Sequence, residues 1–248
     1  MTQTIMITGA NRGIGFEMTK QAAARGDTII ACARNVMEAP ALVALARDNS
    51  AITLLGLDVT AEGDMKQIAA GMRRKVDLLV CNAGVLDSYG GLDDPARNSR
   101  AIETVLMTNI AGVYFTVRAF LPHLLMTAET VKTETTDNHT THANSMIGRI
   151  AIISSIMGSQ TLSAANAPIY RASKAAATNL ARSFAVELAP RGIAVGAYHP
   201  GWVRTDMGGP NADVAAADSA AGLLQRFDLL SLETTGIYET YEGTALPF

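Results

Sequence analysis

The amino-acid sequence predicts an α/β protein built on a doubly wound, mostly parallel sheet of seven strands with helices on both faces. Two observations carry this prediction. Short runs rich in Ile, Val and Leu recur along the chain without polar alternation, which is typical of strands buried on both faces. Longer segments with helical periodicity separate these runs, and such regular alternation favours parallel strands joined by crossover helices.

The individual elements can be placed from the same patterns. Strands are predicted at Thr4–Thr8, Thr28–Ala33, Ile52–Leu57, Asp77–Cys81, Arg149–Ser154, Ile193–Tyr198 and Gly236–Tyr241. Helices are predicted near Gly13–Arg25, Glu38–Arg47, Glu62–Arg74, Ser99–Leu125 and Ala167–Leu188. Because no linker or internal repeat separates these elements, residues 1–248 are predicted to form a single domain.

Two segments depart from the alternation. The segment at 127–148 is rich in Thr, Asn and His and poor in large apolar residues, which predicts an extended surface loop. His139 and His142 lie in it without further ligands at suitable spacing, so no metal site is predicted. The segment Asp206–Asp218 is rich in Gly and Ala and is predicted to act as a mobile lid.

Composition limits the classes of function. Of the 248 residues, 48% are hydrophobic and 17% are charged. This hydrophobic content is enough to form a sizeable core. The net charge of −3, without a basic stripe, argues against a nucleic-acid partner. The N-terminus lacks the pattern of a signal peptide, and no uninterrupted apolar run reaches the roughly 18 residues of a membrane span. Cys32 and Cys81 lie in predicted strands as free thiols, so a cytoplasmic location is expected.

A glycine-rich turn joins the first predicted strand to the first predicted helix. Its residues are Gly9, Ala10, Asn11, Arg12, Gly13, Ile14 and Gly15. Glycines permit a tight turn and let a pyrophosphate approach the backbone N–H groups at a helix N-terminus. A strand before the turn and a helix after it favour a dinucleotide site over a plain strand-to-helix turn. The sheet is therefore predicted to be of Rossmann type.

The end of the second strand indicates which dinucleotide binds. An NAD site usually has an acidic side chain there, which bonds the ribose 2′-hydroxyl. Ala33 occupies that position, and Arg34 follows it. A guanidinium can clamp a 2′-phosphate with paired hydrogen bonds, and Arg12 in the glycine turn is placed to reach the same phosphate. The sequence predicts NADP(H) as the cofactor, with NAD less favoured.

Tyr170 and Lys174 indicate catalysis, because residues four apart lie on one face of a helix. A tyrosine with a pKa of about 10 is a poor base at neutral pH, but a neighbouring ammonium stabilises the phenolate. The phenol can then exchange a proton with a substrate oxygen. Ser154 or Ser155, at the end of the preceding strand, can polarise a carbonyl by a hydrogen bond. Asn109 lies within a predicted helix, where asparagine is disfavoured, so its presence indicates a specific role for the side chain.

These motifs resemble the short-chain dehydrogenase/reductase family. The resemblance rests on the Gly-x-x-x-Gly-x-Gly spacing, the Tyr-x-x-x-Lys pair and the segment Asn82, Ala83 and Gly84 at the end of the fourth strand. The stretch from Gly236 to Phe248 is similar to the C-factor and sniffer-like carbonyl reductase branch. The resemblance extends over nearly the whole chain.

The resemblance implies roles for further residues. Ser155 matches the catalytic serine, with Ser154 as the alternative, and Asn109 matches an asparagine that holds a proton-relaying water. Together with Tyr170 and Lys174 they form the implied catalytic set, in which the lysine also binds the ribose. The implied cofactor contacts are Gly9, Asn11, Arg12, Gly13, Ile14, Gly15, Arg34, Asp58, Val59, Asn82, Ala83, Gly84, Tyr170, Lys174, Pro200, Gly201, Val203 and Thr205. For Asp58, a plain turn or capping role is the alternative. The resemblance also implies a homo-oligomer, either a dimer or a tetramer.

The sequence thus predicts an enzyme that transfers hydride between NADP(H) and a carbonyl or alcohol carbon of a small molecule. The alternative is a C-factor-like nucleotide-binding signalling protein, which the resemblance to that branch motivates. Apolar residues predicted to line a substrate pocket are Leu86, Met157, Leu162, Trp202 and Met207. They do not identify the substrate.

Overall fold

The computed structural model describes residues 2–134 and 147–248, and these contain seven strands and seven α-helices. The strands are β1 (Thr4–Thr8), β2 (Thr28–Ala33), β3 (Ile52–Gly56), β4 (Leu78–Cys81), β5 (Gly148–Ile153), β6 (Ile193–His199) and β7 (Tyr238–Thr240). The helices are α1 (Gly13–Ala24), α2 (Pro40–Asp48), α3 (Glu62–Gly71), α4 (Ser99–Leu106), α5 (Gly112–Glu134), α6 (Pro168–Leu188) and α7 (Ala216–Asp228). A single π-helical turn, Met107–Ala111, joins α4 to α5.

The strands form one sheet in the order β3-β2-β1-β4-β5-β6-β7, and every pair is parallel. Side chains alternate between two cores, one on each face: Met6 belongs to the first, whereas Ile5 and Ile7 belong to the second. Helices α3, α5 and α6 contribute to the first core, and α1, α2 and α7 to the second. Burial on both faces explains the unalternated apolar runs and confirms the predicted doubly wound fold.

The order of the strands places a crevice at the centre of the sheet. From β1 the chain continues to β2 and β3 on one side, and β4 lies on the other side of β1. The connections that leave the carboxyl ends of β1 and β4 therefore diverge, and ligands of doubly wound sheets bind at such a point. The glycine turn follows β1, and Asn82 follows β4. The fold thus brings the two predicted cofactor segments together.

The predicted loop at 127–148 is wrong at both ends. Helix α5 continues to Glu134, and β5 already begins at Gly148. Thr127 lies on this helix with its side chain buried. Its hydroxyl lies 3.0 Å from the Val76 carbonyl oxygen and 2.9 Å from an Asp77 carboxylate oxygen, so it has hydrogen-bond partners there. These partners satisfy a polar side chain that the sequence pattern assigns to a surface. The rest of this segment, residues 135–146 with His139 and His142, lies outside the described residues.

The predicted lid is also partly wrong, since its last residues begin α7. Before α7 the chain is fastened by backbone bonds, from Val214 N–H to the Trp202 carbonyl at 3.0 Å and from Arg204 N–H to the Val214 carbonyl at 2.9 Å. Helix α7 was missed because its small residues give little apolar periodicity. It nevertheless buries Leu223 and Phe227 against the sheet.

One described helical segment, Ser99–Thr127, is long and apolar enough to cross a membrane by length and composition alone. Its residues Val113, Val117, Phe120 and Leu124 belong to the first core. This packing against the sheet is that of a core helix, which passes the same test of length and composition.

Candidate active site

The glycine turn has the backbone that its sequence demands. Gly9 and Gly13 adopt φ values of +65° and +54°, in the region that favours glycine. A Cβ atom on Gly15 would lie 2.3 Å from the Gly9 carbonyl oxygen, so a side chain there would break the turn. Helix α1 begins at Gly13, and its N-terminus faces the crevice side of the sheet. These features produce a bare backbone surface at a helix N-terminus, which suits a phosphate.

Asn82 braces this turn from the neighbouring strand. Its Nδ2 donates to the carbonyls of Thr8 at 2.9 Å and Gly9 at 3.1 Å. In return, the Thr8 hydroxyl oxygen accepts from the N–H groups of Asn82 at 3.0 Å and Ala83 at 3.1 Å. The Asn-Ala-Gly segment therefore fixes the shape of the glycine turn, a structural role that the sequence analysis did not recognise.

A cavity of about 370 Å³ occupies the crevice. It is lined by 16 of the 18 residues predicted to contact the cofactor: Gly9, Asn11, Arg12, Gly13, Ile14, Gly15, Arg34, Asp58, Val59, Asn82, Ala83, Gly84, Tyr170, Lys174, Pro200 and Thr205. Gly201 and Val203 lie outside this lining, and Val203 is buried in a bridge to Val214. Further lining residues that sequence reasoning missed include Asn35, Thr60, Thr104, Thr108 and Asp206.

Two arginines lie at one end of this cavity. Arg34 follows the buried Ala33 at the end of β2 and is exposed along the lining. The Arg12 guanidinium lies 2.7 Å from a carboxylate oxygen of Asp206, and 58% and 76% of these two side chains are exposed. Such a solvated pair contributes little stability, so Arg12 can change partner at small cost.

Asp58 makes the turn contacts that the sequence analysis kept as its alternative. Its Oδ1 accepts from the Thr60 N–H at 2.9 Å and from the Thr60 hydroxyl at 2.7 Å. Asp58 also lines the cavity, beside Val59. The structural role therefore coexists with a position in the proposed cofactor site.

Tyr170 and Lys174 lie in the first turns of α6, at the inner end of the cavity. The Lys174 ammonium is 5.6 Å from the centre of the Tyr170 ring and donates to the Ile153 carbonyl at 2.9 Å. Burial lowers the pKa of Lys174 to about 8. Burial also raises the pKa of Tyr170, Tyr89 raises it further, and the hydrogen bond with the Ser155 side chain opposes this rise. The phenol is therefore held in its protonated form.

The two candidate serines point to different neighbours. The Ser155 side chain lies near enough to the Tyr170 phenol to oppose the rise that burial causes in the pKa of Tyr170, and its oxygen accepts from Met157 N–H at 3.2 Å. The Ser154 hydroxyl instead lies 2.6 Å from the Thr178 hydroxyl and 3.0 Å from the Lys174 carbonyl. A Cβ on Gly158 would lie 2.7 Å from the Lys174 carbonyl carbon, so this glycine lets the turn after Ser155 approach α6. The geometry favours Ser155 as the group beside the phenol.

Asn109 lies buried in the π-helical turn, where its side chain reaches two other elements. Its Nδ2 lies 2.8 Å from the Val85 carbonyl and 3.0 Å from the Ser173 hydroxyl, and its Oδ1 accepts from Val85 N–H at 2.8 Å. Both amide hydrogens are thus used to tie the segment after β4 to α6. The predicted water relay stays a prediction.

The predicted substrate pocket is only partly assembled. Met207 lines the cavity, whereas Leu162 and Trp202 are exposed at 42% and 48%. Tyr89, which sequence reasoning did not select, donates to the Met207 carbonyl at 3.3 Å and influences the pKa of Tyr170. It therefore lies at the mouth of the site.

A parallel sheet with a glycine turn at its central crevice, and a Tyr–Lys pair beside it, defines a Rossmann-fold oxidoreductase. Comparison with known proteins gives the family. The profile of the short chain dehydrogenase family matches residues 3–215, and the chain belongs to this family. This confirms the predicted family and class of enzyme.

Individual relatives agree with this assignment. The C-signal protein of Myxococcus xanthus is 34% identical over 174 residues, which cover 70% of this chain and 93% of that protein. The carbonyl reductase Sniffer of D. melanogaster superposes with a TM-score of 0.89 at 27% identity, with full coverage of both chains. An NADPH-bound carbonyl reductase from chicken fatty liver gives a TM-score of 0.86 at 28% identity, over 100% of this chain and 99% of that one. These findings do not favour the signalling alternative over an oxidoreductase.

Proposed function

We propose that this chain is an NADP(H)-dependent carbonyl reductase, which transfers hydride between the nicotinamide and a carbonyl or alcohol carbon of a small molecule. The observation that carries the proposal is the position of Tyr170 and Lys174 at the inner end of a crevice floored by the glycine turn, with the Ser155 side chain beside the phenol. The protein from chicken fatty liver, which has the same fold, is a carbonyl reductase with bound NADPH.

The crevice fits the cofactor. Gly9, Gly13 and Gly15 keep the turn tight, since a Cβ atom on any of them would lie within 3.1 Å of another atom of the protein, and α1 begins at this point. These glycines would hold the pyrophosphate, Arg34 and Arg12 the 2′-phosphate, and Lys174 the ribose. When bound, the nicotinamide supplies or accepts the hydride. We propose that Pro200, Gly201, Val203 and Thr205 form the nicotinamide end of the site, where Pro200 and Thr205 line the cavity.

The protein's own groups handle the proton. The phenol of Tyr170, kept protonated by burial, donates its proton to the oxygen of a reduced carbonyl. Ser155 polarises the same oxygen by a hydrogen bond. The Lys174 ammonium stabilises the phenolate that remains. The Asn109 side chain holds the segment after β4 against α6 through its hydrogen bonds to Val85 and Ser173.

Consumption of NADPH and of NADH over a panel of aldehydes, ketones and quinones tests this function. NADPH is expected to be oxidised with at least one carbonyl, at a higher kcat/KM than NADH. Tight NADPH binding without turnover of any carbonyl or alcohol would contradict the enzymatic proposal and favour the signalling alternative.

Arg34→Ala is expected to raise KM for NADPH by about 10- to 100-fold, because a charged hydrogen-bonding partner of the 2′-phosphate is lost. KM for NADH should change by less than about threefold, since NADH has no 2′-phosphate. Steady-state kinetics with both cofactors give the comparison. Arg47→Ala, at an exposed arginine of α2, is the matched control. An equal rise in KM for NADPH and for NADH would show that Arg34 does not bind the 2′-phosphate.

We also propose that the chain works as a soluble, single-domain cytoplasmic enzyme that assembles as a homo-oligomer. The two buried free thiols support the cytoplasmic assignment. The family supports a small-molecule substrate.

A further inference from the structure

Tyr238 reaches the candidate catalytic turn from the last strand of the sheet. It begins β7 and is 2% exposed. Its phenol donates a hydrogen bond of 2.5 Å to the backbone carbonyl of Ser155, which is 83 residues away in sequence. The same carbonyl accepts from Gly158 N–H at 2.8 Å, which closes the short turn after Ser155. Both bonds hold the peptide group that directly follows the Ser155 side chain.

Tyr238 is one member of a buried hydroxyl cluster, which we define as Ser154, Thr178 and Tyr238. The Ser154 and Thr178 hydroxyls lie 2.6 Å apart, and each lies 3.0 Å from the Lys174 carbonyl oxygen. The Thr178 side chain also lies near the Tyr238 phenol, where it opposes the effect of burial on the pKa of Tyr238. All three side chains are buried. The cluster therefore links β7, the end of β5 and the helix turn that carries Lys174.

This arrangement makes the position of Ser155 depend on a distant strand. Ser155 lies after the end of β5, so the hydrogen bonds within the sheet do not fix it. Its hydroxyl must nevertheless meet the Tyr170 phenol and a substrate oxygen at the same time. A misplacement of about 1 Å is enough to weaken such geometry.

We propose that Tyr238 is a positioning residue for the reaction: its phenol holds the Ser155 carbonyl and thereby sets the Ser155 hydroxyl against Tyr170. The inference rests on the proposed carbonyl reductase function. Tyr238 does not touch the reacting atoms, so its effect passes through Ser155.

A purely structural explanation is that the hydrogen bond only satisfies a buried phenol. The chain offers a matched control for this explanation in Tyr198, on β6. Tyr198 is fully buried too, but its hydroxyl makes no hydrogen bond to the residues that the structure describes. Tyr198→Phe and Tyr238→Phe each remove one buried hydroxyl, while only the second releases the Ser155 carbonyl.

The test measures kcat, KM and the NADPH dissociation constant for both variants, on the carbonyl that the wild type reduces best. Tyr238→Phe is expected to lower kcat about fivefold and to leave NADPH affinity unchanged. Tyr198→Phe is expected to match the wild type. In a Ser155→Ala background, Tyr238→Phe should cause no further loss, because the residue that it positions is absent.

Three outcomes would overturn the proposal: wild-type kcat in Tyr238→Phe, an equal loss in Tyr198→Phe, or a fivefold loss that persists in the Ser155→Ala background. Hydrogen exchange gives a reading that needs no substrate. Exchange at the Gly158 amide is expected to be faster in Tyr238→Phe than in Tyr198→Phe, and equal rates would contradict the positioning role. Failure of the function itself would appear separately, as absence of turnover in the wild type.

Discussion

Tyr170→Phe is expected to lower turnover of a carbonyl substrate by about 10²- to 10⁴-fold, the range that a positioned general acid contributes. Phenylalanine keeps the ring that packs near Lys174 but removes the only proton that Tyr170 can deliver. NADPH should still bind, because the glycine turn and both arginines are unchanged. The measurements are steady-state kinetics and the NADPH dissociation constant, so that loss of chemistry is separated from loss of binding.

A second tyrosine provides the control for this substitution. Tyr114 lies on α5 with its ring packed near Phe184, and it is partly exposed. Tyr114→Phe removes a phenolic hydroxyl away from the crevice and should retain wild-type turnover. If Tyr170→Phe keeps more than about a tenth of the wild-type rate, Tyr170 is not the proton donor.

The central part of the site could be predicted because it depends on local chain geometry. The glycine turn follows a buried strand directly, and the limits of β1 and β2 agree with the predicted strands residue for residue. Tyr170 and Lys174 are four residues apart on one helix, so their proximity follows from helical geometry alone. Such features need no knowledge of the rest of the fold.

The parts that escaped prediction depend on contacts between distant segments. Asn82 braces the glycine turn across 74 residues of sequence, and Tyr238 reaches Ser155 across 83. The choice between Ser154 and Ser155 depends on Thr178, which only the folded chain brings beside Ser154. The sequence pattern places Thr127 in a surface loop, because its buried partners lie some 50 residues earlier in the chain. A sequence pattern reports polarity but does not show whether a polar group finds a partner after folding.

Lys174→Met is expected to combine a loss of activity with a gain in stability. Turnover should fall by about 10²-fold or more, because the cation that stabilises the Tyr170 phenolate is removed. The free energy of unfolding without cofactor should rise by about 1–2 kcal/mol at neutral pH. The Lys174 side chain is buried, and burial lowers its pKa from 10.5 to about 8, a cost on the order of 3 kcal/mol for the charged form. Loss of the hydrogen bond to the Ile153 carbonyl destabilises the variant and offsets about 1 kcal/mol of this gain.

The pH dependence distinguishes this explanation from a general improvement in packing. A lysine whose pKa is lower in the folded protein than in the unfolded chain destabilises the fold wherever it is charged in both states, which is below about pH 8. Between about pH 8 and pH 10.5, the folded lysine is already neutral while the unfolded lysine still binds a proton, so the wild type becomes relatively more stable as pH rises. The advantage of Lys174→Met should therefore be complete near neutral pH and shrink towards pH 10.5.

Denaturant unfolding at a series of pH values measures this advantage directly. Lys20→Met is the matched control, because Lys20 is an exposed lysine on α1 that forms only a surface ion pair with Glu17, at 3.8 Å. It should show no stability gain that disappears at high pH. If the gain in Lys174→Met is the same at all pH values, it comes from packing of the methionine and not from removal of a buried charge. That result would also mean that Lys174 has the same pKa in the folded and in the unfolded chain, so that burial does not lower it.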